Sequence, residues 1–115
     1  MEEKFRGIVL YNLELNGNLN GVYTNNLTPN AEIFTETNRR INVKDNDNEI
    51  NDIRNYDCFY YDFEEGRVDC SLRLIITNGI YRAEWIRLNE QTPIFIGEGF
   101  RMNERQIAIS YWLNA

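Results

Sequence analysis

The most reactive-looking stretch is Phe95-Ile96-Gly97-Glu98-Gly99-Phe100, a single carboxylate set between glycines and bulky apolar side chains. A carboxylate buried without a partner is costly, and the usual outcomes are a raised pKa or a paired arginine. If Glu98 shares an inner face with Ile96 and Phe100, it is a group that could orient a ligand inside an aromatic cup. Tyr61, Tyr81, Trp85, Phe100 and Tyr111 would form that cup, with apolar faces and a few polar tips. The alternative puts Glu98 near an open rim or, if the preceding loop has an odd length, outside beside Arg82. The same aromatics could equally fill a small core, which also requires bulk.

Other chemistry is scarce. The chain has no histidine, so the commonest general base, the usual catalytic triad and the usual zinc ligand are all missing. Asp45-Asn-Asp-Asn-Glu49 starts like a calcium loop but lacks the glycine and the glutamate that such a loop needs further on. Asp62 and Asp69 are expected to face each other on an outer surface, a destabilising pair unless a cation lies between them. Solvated acidic surface accounts for both clusters. No metal, no cofactor and no enzymatic activity are expected.

Period-2 runs bounded by Gly and Asn must position these residues. They cover 5–15, 21–25, 32–37, 40–44, 58–63, 68–77, 80–88, 94–101 and 106–113. Short strands at this spacing indicate an antiparallel sandwich or barrel. The polar stretch 45–56 reads as a loop with room for one helical turn. Leu15–Gly21, "LNGNLNG", offers two Asn-Gly turns and leaves the first hairpin's register open.

Asn78-Gly79 is the firmest anchor, because this pair suits a two-residue turn in which both residues have positive φ. It sets Ile76 against Tyr81, Leu74 against Ala83 and Leu72 against Trp85 on an apolar face, and Arg73 against Glu84 on the other. Chaining even-length loops from it puts Phe59, Tyr61, Phe63, Ile96, Phe100, Ile107, Ile109 and Tyr111 on the same inner face. Cys70 then points inward and Cys58 outward, so they cannot bridge without backbone movement; a five-residue loop centred on Glu64 would instead set them opposite each other. The outer face acquires a strip of minimal side chains, Gly97, Gly99, Ala108 and Ser110, flanked by Phe95 and Trp112. Such a strip marks either strong barrel curvature or an association surface, a homodimer or a protein partner.

Three of these stretches, "GIYRAEW", "FIGEGF" and "IAISYW", resemble the closing strands of small lipocalin-like and avidin-like (calycin-type) up-and-down barrels. "LNGNLNGVYTN" is similar to the early avidin-type strand that turns at Gly and continues with Gly-x-Tyr. The resemblance implies a barrel that binds a small, often apolar ligand in its mouth. The polar residues with which avidins hold biotin have no counterparts here, so no biotin site is implied.

The totals frame these readings. A chain of 115 residues, 43% hydrophobic and 13% aromatic, suits one globular domain, 1–115. A net charge of −6 disfavours nucleic acid and anionic membranes as partners. The start lacks the basic and apolar regions of a signal peptide, which points to the cytoplasm and to reduced thiols. The expectation is an all-β, single-domain antiparallel up-and-down barrel of about eight strands. Its expected function is non-enzymatic binding of a small apolar or amphipathic ligand, the alternative being a protein-interaction module (inhibitor or immunity-like partner) working through the outer face.

Overall fold

The computed structural model describes residues 4–28, 30, 32–43 and 47–115. Eight antiparallel strands close into a barrel: β1 (Arg6–Leu13), β2 (Leu19–Asn25), β3 (Phe34–Ile41), β4 (Asp52–Asp62), β5 (Gly66–Thr77), β6 (Ile80–Arg87), β7 (Phe95–Arg101) and β8 (Gln106–Leu113). Each strand pairs with the next in sequence, and β8 returns to β1. Closure leaves no exposed sheet edge among the described residues. The nine period-2 runs become eight strands, because β3, which ends at Ile41, joins parts of the two runs read at 32–37 and 40–44. β4 starts at Asp52, inside the stretch expected to be loop, since its inward residue there is the charged Arg54, buried at the barrel's floor.

The Asn78-Gly79 hairpin forms as expected, with φ of 51° and 80° and with Leu72, Leu74 and Ile76 facing Trp85, Ala83 and Tyr81. All six side chains are buried. The first hairpin turns at Asn16-Gly17, where Gly17 has φ 90° and Leu13 faces Leu19. Gly21, in the competing Asn-Gly pair, is an inward strand residue.

Three loops depart from the even-length expectation. The β6–β7 connection sets Trp85 opposite Phe95, Ala83 opposite Gly97 and Tyr81 opposite Gly99. Ile96, Glu98 and Phe100 therefore face outward, with Glu98 opposite Arg82. The interior has little room along β7: a Cβ on Gly97 would lie 2.6 Å from Ile109 and 2.8 Å from the Ser110 carbonyl, and one on Gly99 would collide with the Ala108 carbonyl. A compensating shift between β7 and β8 returns Ile107, Ile109 and Tyr111 to the interior. The expected outer strip is thereby broken, because Gly97 and Gly99 lie inside while Ala108, Ser110 and Trp112 lie outside.

The β4–β5 loop is the third departure. Asp62 pairs with Gly66, whose φ of 75° lets the chain turn over 63–65. Tyr56, Cys58 and Tyr60 thus take the inner positions. Phe59 and Tyr61 face outward, and Phe63 sits in the turn. Cys58 lies directly opposite Cys70, both buried as free thiols, correcting the expectation that they point to opposite faces. Asp69 pairs with Phe59 rather than Asp62 and is bridged by Arg67 at 3.1 Å.

Candidate functional site

The barrel's two ends differ. One is closed by charge: Arg54 and Arg40 point inward from β4 and β3, and residues 47–52 fold across them. Arg40 makes a two-pronged contact with Asp47 at 2.9 Å, and Arg54 reaches Glu49 at 3.2 Å and Asp52 at 3.3 Å. Arg101 pairs with the same Glu49, and the Tyr81 hydroxyl donates to it at 3.2 Å. Partial burial works against ionisation of Glu49, but Arg101 and Arg54 outweigh it and hold the pKa below the ordinary glutamate range. Asp47 and Glu49 of the calcium-like stretch are thus engaged by arginines, while Asp45 and Asn46 lie outside the described residues. No metal-binding cluster of His, Cys, Asp or Glu occurs among the described residues.

The other end is open. A cavity of about 310 Å³ enters between the start of β1, the end of β2, the β4–β5 turn and the start of β7. Its walls are aromatic. Tyr111 is their hub, with ring centroids 5.5 Å from Trp85, 5.8 Å from Phe5, 5.9 Å from Phe95 and 6.4 Å from Tyr23. Tyr60 meets Tyr23 edge-on at 6.0 Å. The edge-to-face contacts among them are of a kind that aromatic rings favour.

At the inner end of this cup lies Glu36, from the middle of β3, 5% exposed. Three donors converge on its carboxylate: the Tyr11 hydroxyl, the Asn38 amide at 2.9 Å and the Trp85 indole Nε1 at 3.1 Å. Burial pushes the Glu36 pKa up, and the hydrogen bonds from Tyr11, Asn38 and Trp85 offset part of that rise, with a smaller contribution from the Cys58 thiol. Burial also pushes up the hydroxyls of Tyr11 and Tyr23, and carries Tyr111 to about 12. The Cys58 thiol is raised by its hydrogen bond with Cys70 and by burial, leaving a poor nucleophile.

The structure therefore brings together only part of the expected cup. Trp85 and Tyr111 line it. Tyr81 is buried but turns its hydroxyl to the closed end. Tyr61, Glu98 and Phe100 lie on the outer face and are exposed. Phe95, expected on the outside, is a cup wall. A carboxylate does sit within aromatic walls, but it is Glu36. The signal for it was the polar period-2 set Glu36, Asn38 and Arg40, which alternates like a solvent face yet points inward. Only the pairing of β3 with β2 and β4 separates the two readings.

The outer face carries a different feature. Ile80, Phe100, Ala108, Leu10 and Val22 are directly paired, one to the next, across β6, β7, β8, β1 and β2. Ile80, Phe100 and Val22 in this row are exposed. No family model, no curated protein and no solved structure matches this chain.

Proposed function

We propose that the protein is a non-enzymatic carrier or sensor that binds one small, apolar or amphipathic organic molecule in the open cup. The observation that carries this reading is the asymmetry of the barrel. One end is filled by an ion-pair network, while the other keeps a cavity of about 310 Å³ with aromatic walls and one buried carboxylate. Ligand cavities are typically concave and largely apolar, with a few fixed polar groups, and occur in barrel mouths. The kinship we propose is with lipocalin-like and avidin-like barrels, and it rests on architecture and on the short stretches quoted above. Native mass spectrometry of protein purified from its host tests the binding. The expected spectrum contains a second species heavier by a small-molecule mass, which disappears in Trp85→Ala protein while the chain mass is otherwise as calculated. Ligand-free protein that also takes up nothing from the host's small-molecule fraction would contradict the reading.

A second reading, a protein-interaction module or homodimer, is favoured by the apolar row Ile80–Phe100–Ala108–Leu10–Val22 on the outer face. An apolar row of this kind, with Ile80, Phe100 and Val22 exposed, is a feature of association sites. Phe100→Arg is the probe for it, read by sedimentation at several concentrations.

A further inference from the structure

The cup's polar groups are not evenly divided between donors and acceptors. Three of its four hydroxyl and indole donors are committed to the protein, the Tyr60 hydroxyl being the exception: Tyr23 donates to the Tyr61 carbonyl, Tyr111 to the Thr24 carbonyl at 3.3 Å and Trp85 to Glu36 at 3.1 Å. Carboxylates dominate what remains. Glu36 from β3, Asp62 from β4 and Glu64 and Glu65 from the turn line the cavity, against one guanidinium, Arg87 of β6. Arg87 is itself drawn to Glu65 at 3.4 Å. No other charged side chain lines the cavity among the described residues.

Resting on the reading that the cup binds a small molecule, we infer that its ligand is an organic cation, an alkylated ammonium. Faces of Trp and Tyr attract cations through the ring quadrupole, and the attraction strengthens when water is excluded. Glu36 supplies the compensating charge at the inner end, where low polarity makes it count for more. Its carboxylate already accepts from Tyr11, Asn38 and Trp85, so little hydrogen-bonding capacity is left for a newcomer. An ammonium whose hydrogens are replaced by carbon needs none of that capacity. It gains from charge and ring contact alone. An anionic ligand would meet four carboxylates and a single, already paired, cation.

The test compares phenyltrimethylammonium with tert-butylbenzene, its neutral carbon isostere, by titration calorimetry or NMR within the isostere's solubility. The cation should bind at least about tenfold more tightly, the scale of one desolvated cation–aromatic contact plus a carboxylate. Its affinity should fall by about tenfold in Glu36→Gln, with the Trp112 indole signal on the outer face reporting that the variant is folded. Should Glu36→Gln fail to fold, Asp62→Asn at the rim provides the second variant, with a smaller loss in the same direction. An isostere that binds as tightly as the cation, or tighter, overturns the cation assignment and leaves the cup reading standing. Binding of neither probe contradicts both.

Discussion

Glu36 and Trp85 hold each other in place: the indole Nε1 donates to the carboxylate at 3.1 Å, and both side chains are nearly inaccessible to water. Trp85→Ala should cost about 3–5 kcal/mol in a denaturant titration, as large aromatic truncations in packed interiors do. A loss below about 1 kcal/mol would contradict its placement. The finer probe is protonation. Burial raises the Glu36 pKa above its unfolded value, so the folded protein takes up this proton first as pH falls. Its stabilising contribution is fullest below the unfolded pKa and is lost as pH rises through the folded one. Glu49 behaves oppositely: with its pKa lowered by arginines, its contribution is present at neutral pH and is lost as pH falls through the folded value. Side-chain carboxyl ¹³C shifts followed through an acid titration should place Glu36 above Glu49, and Trp85→Phe should move Glu36 higher still by removing a donor. Glu36 titrating at or below Glu49 would contradict the site's geometry.

Register is decided at the level of strands and loops, and there the sequence was legible in places for definite physical reasons. Asn78-Gly79 permits one tight turn, so six inward residues of β5 and β6 could be assigned from it. β8 was assigned correctly although β7, which links it to β6, was not, because the shifts on its two sides cancel. In β7 the usual association of apolar with inside fails: the narrow interior next to Trp85 and Ile109 admits Gly97 and Gly99, and pushes Ile96 and Phe100 outward. β4 carries aromatics on both faces, so its pattern could not choose between Tyr60 and Tyr61. Only the three residues turning ahead of Gly66 settle the matter. Glu36 was illegible because β3 has polar residues on both faces. The β7 assignment is tested by adjacent substitutions. Gly99→Ala should destabilise by about 1–3 kcal/mol, since its Cβ meets backbone that cannot move aside. Phe100→Ala, on the exposed face, should cost under about 1 kcal/mol. The reverse order in paired denaturation curves would return β7 to the opposite register.

Across the whole molecule, the barrel assigns opposite tasks to its ends. Arg54, its side chain 1% exposed, ties Glu49 and Asp52 to the closed end. Arg54→Met should cost about 3 kcal/mol, because removing one partner leaves buried charge uncompensated. In thermal melts this loss should shrink at acidic pH, as Glu49 and Asp52 become protonated in the variant and the parent alike. A loss that is independent of pH would show that Arg54 acts through packing alone. The open end and the outer face remain the two candidate places of contact, and each contains one tryptophan: Trp85 in the cup wall and Trp112 on the exterior. Their indole signals in a ¹H–¹⁵N spectrum therefore report on the two surfaces separately. Titration with the host's small-molecule fraction, and then with phenyltrimethylammonium, should move the Trp85 indole while Trp112 stays in place. Movement of Trp112 with Trp85 unperturbed would contradict the account and assign recognition to the outer face.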